Sequence, residues 1–362
     1  MSANADQHMT TADVAPGRRP IDGVAVWLYA VAAMVFTMVV LGGLTRLTHS
    51  GLSMVEWRPV TGWLPPMDDA AWARVFEMYK GSPEYREVNA DMTLAEFKGI
   101  FWLEFLHRLW GRLIGVAFAV PFAYFVVKGM VSRRLGLWLV GIFALGGLQG
   151  GLGWFMVKSG LVDQPDVSQY RLAAHLSLAL LIYVLILWIA IGRRVGRRSE
   201  QVDDIGHSIP SSAIRRTAAG LLGLISITIF SGALMAGLDA GLTYNTFPLM
   251  DGSLVPDGMM TMSPVCLNFF ENITTVQFDH RVLAVSTFFA VLGFWWRLRG
   301  GKLPTPAYRA ASAMAAMVVV QASLGIATLL LVVPIALGVL HQAGAVILLG
   351  AAVWALRELT PK

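Results

Sequence analysis

The chain has 362 residues, of which 56% are hydrophobic and 14% charged. Soluble domains carry roughly 25% charged residues, so a soluble globule is excluded. The net charge of +5 calls for no nucleic-acid partner, because the basic residues fall in short connections where membrane topology places them.

In chain order, a mostly polar tail, 1–23, comes first. Asp6, Asp13 and Asp22 stand in it beside Arg18 and Arg19, unlike an Arg-rich, acid-poor transit peptide. Apolar runs follow at 24–44, 104–127, 135–157, 171–192, 214–236, 277–298, 308–331 and 335–356. Each is near the roughly 20 residues that cross a hydrocarbon core of about 30 Å. The first is too long for a signal-peptide core and is kept as a span.

The connections after spans 2, 4 and 6 are basic, with Lys128, Arg133 and Arg134, then Arg193, Arg194, Arg197, Arg198, Arg215 and Arg216, then Arg297, Arg299, Lys302 and Arg309. None occurs between Arg216 and Arg281. The positive-inside rule therefore predicts cytoplasmic termini and even-numbered connections, with the odd-numbered ones facing outward from a bacterial cell inner membrane. Cys266 is the one cysteine, which excludes an internal disulfide and a thiolate cluster of the usual ligand number.

The sequence partly repeats itself. EFLHR (104–108) matches QFDHR (277–281), and LQGGLG (148–153) matches VQASLG (320–325). A looser echo joins GGLTRLTHSGLSMVEWRPVTGWLPP, after span 1, to SGALMAGLDAGLTYNTFPLMDGSLVP, after span 5. Four spans per half keep the same membrane orientation, so the halves are parallel repeats. The expected fold is an all-α integral membrane protein, its eight transmembrane helices forming two similar four-helix bundles in parallel repeat. The expected divisions are a cytoplasmic tail (1–23), an N-terminal half (24–192), a cytoplasmic linker (193–216) and a C-terminal half (217–362).

Four of the seven histidines lie inside predicted spans: His107, His175, His280 and His341. Each falls within about two turns of the outward start of an even-numbered span, which puts one pair at one depth in each half. His8, His49 and His207 fall in the tail or connections and read as solvated. Two imidazoles without cysteines or clustered carboxylates fall short of a zinc site. Heme iron needs two axial ligands only, and histidines on facing helices of a bundle commonly supply them. Gly111 and Gly115, and Gly338, Gly344 and Ala345, offer smooth faces beside these histidines, although helix packing explains them equally. Arg108 and Arg281 stand next to their histidines and would either pair with heme propionates or snorkel to the interface.

The halves differ one turn before the histidine, where Glu104 corresponds to Gln277. A carboxyl held away from water has a use if it moves protons or orients a reacting group. The first half is therefore the expected site of chemistry and the second the expected site of electron transfer. An interfacial Glu104 paired with Arg108 or His107 is the plainer alternative.

At these residues the sequence resembles the heme A synthase family, whose mitochondrial relatives are cytochrome oxidase assembly factors. The resemblance runs through GGLTRLTHSGLSMVEWRPVTGWLPP, EFLHR, LQGGLGWFMV, the histidine of RLAAHLSLAL, FDHR and GVLHQAG, in that order, over nearly the whole chain. It implies oxidation of the C8 methyl group of heme O to the formyl group of heme A by successive hydroxylations, for assembly of terminal oxidases. It also implies His280 and His341 as axial ligands of a heme b cofactor, with Arg281 beside them. His107 and His175 belong to the heme O site, with Arg108 beside them, and Glu104 and His107 are the candidate catalytic pair. Many bacterial relatives carry a cysteine pair in an outer connection, which this chain lacks, as the mitochondrial-like branch does.

Trp102, Trp110, Phe118 and Trp154 are candidates to line an apolar cleft for the isoprenoid tail. AASAMAAM (310–317) is expected to face the membrane, where it permits a homo-oligomer. The partners that fit are membrane lipid, a heme O synthase and terminal oxidase assembly factors. Two rival functions use the same features: a di-heme membrane cytochrome that only transfers electrons, and a proton-coupled transporter with histidine relays. The Glu104/Gln277 difference speaks against the first, and a heme spectrum of the purified protein removes the second.

Overall fold

The computed structural model describes residues 22–58, 61–161, 168–199, 211–301 and 303–360. In chain order its helices are α1 (Gly23–Leu47), α2 (Asp69–Lys80), α3 (Pro83–Glu87), α4 (Leu94–Val127), α5 (Arg133–Gly160), α6 (Gln169–Ser199), α7 (Ser212–Gly237), α8 (Asn268–Glu271), α9 (Ile273–Leu298), α10 (Thr305–Leu330) and α11 (Ile335–Leu359). Among the described residues there is no strand, and α1, α4, α5, α6, α7, α9, α10 and α11 are each long and apolar enough to cross a membrane. The protein is an all-α, multi-pass membrane protein. Most of the predicted tail, residues 200–210 of the predicted linker, and with them His8 and His207, lie outside the described residues.

Large apolar side chains cover the outside of these helices: Val127 is 85% exposed, Phe289 67% and Trp296 68%. Lipid removes the penalty that water would impose on such a surface, and the helical ladder satisfies the backbone internally. Side chains close the helix ends. Asp22 Oδ1 accepts from the N–H groups of Val24 and Ala25, and its Oδ2 accepts from Arg193 Nε at 2.9 Å, tying the start of α1 to the end of α6. Ser132, Ser211 and Asn272 cap α5, α7 and α9.

Among the first four long helices, α1 packs on α4 and α6, and α5 packs on α6 and on α4. Among the last four, α7 packs on α9 and α11, and α10 packs on α11 and α9. Between the two sets, α6 meets α7 and α11, and α1 meets α11. The contacts there are close. Gln342 Nε2 donates to the Val39 carbonyl at 2.8 Å, and a methyl group on Gly350 would come within 2.8 Å of the Tyr183 hydroxyl. Ala310, Ala311, Met314 and Ala315 of AASAMAAM are buried inside the chain and serve its own packing, while Ala313 and Ala316 on its other face are exposed.

The second span also begins earlier than predicted. Helix α4 starts at Leu94, where Thr93 and Glu96 form a reciprocal capping box. Glu96, Lys98 and Gly99 dilute the hydropathy of this first stretch, which hid it from a search for apolar runs. Its other face carries Phe97, Phe101 and Phe105, packed with Trp72, Phe76 and Tyr79 of α2. Phe76 and Tyr79 lie 5.0 and 5.1 Å from Phe97, centroid to centroid. The first connection is thereby a small aromatic-cored cap on the projecting end of α4.

A carboxyl is buried in that cap. Glu84 is 4% exposed, hydrogen-bonds Tyr79, and leaves Oε2 without a partner. Burial pushes the Glu84 carboxyl up from 4.5 to about 8, and the Glu104 carboxyl adds to the rise. Burial likewise pushes the Tyr79 hydroxyl up. The folded cap therefore holds a proton on Glu84 that the unfolded chain releases above about pH 4.5, so stability is fullest below that pH and falls up to about pH 8. Thermal unfolding in detergent is expected to show a midpoint that drops between these limits, with Glu84→Gln removing most of the drop. An unchanged slope in that variant would show that another group is responsible.

Candidate functional site

The four intramembrane histidines stand on alternate long helices: His107 on α4, His175 on α6, His280 on α9 and His341 on α11. Three lie about two turns from their helix starts, as expected from sequence. His107 lies about three and a half turns in, because α4 projects outward beyond the predicted span. His107 and His175 are near enough to interact electrostatically, and so are His280 and His341. Neither α4 and α6 nor α9 and α11 pack extensively on one another, so the two histidines of each pair stand on helices that are not packed together.

Each imidazole lies on a glycine of the preceding long helix. A methyl group on Gly153, Gly232 or Gly325 would come within 3.1, 3.0 or 2.7 Å of Cε1 of His175, His280 or His341. Gly42 stands in the same relation to His107, but there the nearest ring atom is Nε2, at 3.4 Å. Any other residue at Gly232 or Gly325 would force the ring away. Polar side chains complete three of the four seats. Gln149 Nε2 lies 3.2 Å from His175 Nδ1, Gln321 Nε2 lies 3.1 Å from His341 Nδ1, and Ser231 Oγ lies 2.8 Å from His280 Nδ1. Both glutamines also donate to the backbone carbonyl of their histidine at 3.0 Å.

One turn before His107, Glu104 is 2% exposed. Its Oε2 accepts from Ser53 Oγ at 2.7 Å and from the Met54 N–H at 2.6 Å, and its Oε1 pairs with Arg108. Arg108 also donates to the carbonyls of Met54 at 2.8 Å and Glu56 at 2.9 Å, and lies over the Trp57 ring. In the second half, fully buried Gln277 donates to the Tyr244 carbonyl at 3.0 Å, which Arg281 also reaches, at 2.7 Å, together with the Thr246 carbonyl. Both arginines thus clamp the outer connection down onto the histidine helix. Only the first clamp contains a carboxylate.

A family model of cytochrome oxidase assembly proteins, COX15-CtaA, matches residues 25–353. The chain belongs to this family. It is 48% identical over 337 residues to a protein of Nitrosomonas eutropha named heme A synthase, which covers 93% of this chain and 94% of that one. A Paramagnetospirillum magneticum protein of the same name is 51% identical over 339 residues, covering 93% of each. The Arabidopsis thaliana protein named heme A synthase COX15 is 47% identical over 332 residues, covering 90% of this chain and 72% of the plant protein.

In this cytochrome oxidase assembly protein, then, His107 is within electrostatic range of His175 and His280 of His341, and Glu104 is buried one turn before His107. Other expectations are revised. The glycines facing the imidazoles are on neighbouring helices. Gly111 packs on Met38, Gly338 on Leu47 and Gly344 on Gln321, and Gly115 has nothing within 4 Å. Of the proposed cleft aromatics, Phe118 is core and Trp110 donates to the Met34 carbonyl, whereas Trp102 and Trp154 are 40% and 39% exposed. Sequence reasoning missed Ser231, Gln149 and Gln321. Yet LQGGLG and VQASLG both set glutamine and glycine four apart, on one helical face, a spacing that predicts a shared neighbour.

The unequal clamps have a measurable consequence. Arg108→Ala leaves the Glu104 carboxylate buried with no cation, a change that destabilises by about 3–5 kcal/mol. Arg281→Ala leaves the neutral Gln277 and the exposed Asp251, which water can solvate, and is expected to lower the thermal midpoint less. Equal losses in the two variants would contradict this account of the asymmetry.

Proposed function

We propose that this protein is a heme A synthase, oxidising the C8 methyl group of heme O to a formyl group by successive hydroxylations, with heme b as its resident cofactor. The observation that best supports this reading is that the two intramembrane imidazoles of each half stand within electrostatic range of one another, His107 of His175 and His280 of His341. Its family membership and relatives named heme A synthase support it. In this reading residues 24–192 form the substrate half and residues 217–362 the cofactor half. The histidine pairs lie toward the periplasmic side of a bacterial inner membrane, with both termini in the cytoplasm. A heme O synthase and terminal oxidase assembly factors are the partners that fit before and after it.

The second-half residues suit heme b. The backs of His280 and His341 are seated on Gly232 and Gly325, and buried Arg281 Nε has no hydrogen-bond partner, so it is a donor for a heme carboxylate. Heme b, when bound, supplies reversible one-electron chemistry. His280 and His341 would hold its iron. In the first half, His107 and His175 bind the iron of the substrate heme O, and the Arg108 guanidinium is the cation for its carboxylates. Glu104, one turn from His107, takes up or returns a proton at its carboxylate oxygens as the methyl group is oxidised. Ser53 and the Met54 N–H keep that carboxylate aimed. Gln277, an amide, has no such capacity.

Expression with a source of heme O, followed by chromatography of the extracted hemes, tests the reaction. The wild-type chain is expected to give heme A or hydroxylated heme O, and Glu104→Gln to keep its heme b while losing product by about 10²-fold or more. Normal heme A output from Glu104→Gln would remove its catalytic role, and purified wild-type protein without Soret absorbance would remove the whole assignment.

The glycine seats make a separate prediction. Gly325→Ala sets a methyl group within 2.7 Å of His341 Cε1 and is expected to reduce bound heme b severalfold, read from the Soret band. Gly220→Ala, where nothing lies within 4 Å, serves as the control and is expected to match wild type.

A further inference from the structure

Ser231 is 8% exposed on α7 and has two partners. Its hydroxyl donates to the Thr228 carbonyl at 2.8 Å and lies 2.8 Å from His280 Nδ1. A hydroxyl has one hydrogen, so with that hydrogen on Thr228 the serine oxygen only accepts from the imidazole. In that arrangement Nδ1 carries the ring's hydrogen. A second contact agrees with this. His280 also hydrogen-bonds the backbone of Thr228. Thr228 lies inside α7, where its N–H is engaged in the helix, so the free backbone partner is its carbonyl, another acceptor.

Thr228 stands four residues before Gly232, and Gln321 stands four before Gly325. The His341 ring also lies against the Gln321 backbone, but the side-chain group at its Nδ1 is the Gln321 amide nitrogen, a donor, at 3.1 Å. The missing Cβ in each case lets a ring edge reach the carbonyl of the preceding turn. The first half lacks this arrangement. Among the described residues the His107 ring has no hydrogen-bond partner, and Gly42, which it faces, stands where the internal echo puts Ser231.

We infer that Ser231 is a positioning residue that holds His280 as the Nδ1–H tautomer, leaving Nε2 as its ligating atom. The lack of a matching hydroxyl beside His107 leaves that ring free to engage and release a substrate. This rests on the reading of His280 as a heme b ligand. The purpose of the difference follows from the two roles. A resident cofactor gains from a ligand fixed in tautomer and direction, and a substrate that must leave does not. An Nδ1–H held by an acceptor also makes the imidazole a stronger electron donor to iron, favouring the ferric state.

The test uses the full-length protein purified with its heme b, with the midpoint potential measured by redox titration and the ligand field by electron paramagnetic resonance of the ferric state. Ser231→Ala is expected to keep heme b, raise the midpoint potential and broaden the low-spin signal. Ser231→Thr, which retains the hydroxyl, is expected to restore both. The inference is overturned if Ser231→Ala matches wild type, or if Ser231→Thr shifts as far as Ser231→Ala. His280→Ala separates the two levels: a bis-imidazole spectrum that survives it overturns the ligand assignment itself. A spectrum lost in His280→Ala beside an unaltered Ser231→Ala overturns only the role of Ser231.

Discussion

The edge of an imidazole comes up against a neighbouring helix only where that helix has no side chain in the way. Gly42, Gly153, Gly232 and Gly325 supply that condition for the four intramembrane histidines, each on the long helix before its histidine. Glycine in a helix interior is unfavourable by roughly 0.5–1 kcal/mol relative to alanine, and in lipid small residues offset this by letting helices approach. Here the approach delivers more than packing. It fixes where each ring stands and, in the second half, brings the ring edge within reach of a backbone acceptor.

The charged residues at the start of the second span follow from how the outer connections fold. Helix α4 projects outward from Leu94, and the residues from Ser53 to Glu56 fold back along it. Glu104 and Arg108 therefore meet backbone donors and acceptors as well as one another. A buried ion pair is retained at a net desolvation cost unless its remaining groups are satisfied, and here the connection satisfies most of them. The second half solves the same clamping problem with Gln277 and Arg281, without a carboxylate. A fully buried carboxyl one turn before the histidine therefore occurs at one of the two sites only, whereas the second site has the partly buried Asp279 directly beside His280, and the proposed assignment of substrate and cofactor rests on that difference.

Much of this was legible in the primary structure. The apolar runs marked eight spans because length and hydropathy suffice in a bilayer, where the backbone has no alternative to helix. The EFLHR and QFDHR motifs located the histidines and the Glu104/Gln277 difference. The capped, amphipathic beginning of α4 was not legible, since an apolar-run criterion sees only what lipid surrounds. Nor was the burial of Ala310, Ala311, Met314 and Ala315 within AASAMAAM, because a stripe of small residues looks the same whether it faces lipid, another copy or the chain's own core.

The sequence by itself determined the number of spans, the placement of four imidazoles on alternate helices and the Glu104/Gln277 difference one turn before the histidine. These depend on residue type and spacing along one helix. Tertiary structure alone decided which glycine lies behind which ring, which hydroxyl or amide reaches Nδ1, and which carbonyls the two arginines hold. Those contacts join residues that are between 16 and 65 positions apart in sequence, as in Gly325 with His341 and Gly42 with His107. Their pairing is set by how helices cross in three dimensions, which no local pattern encodes.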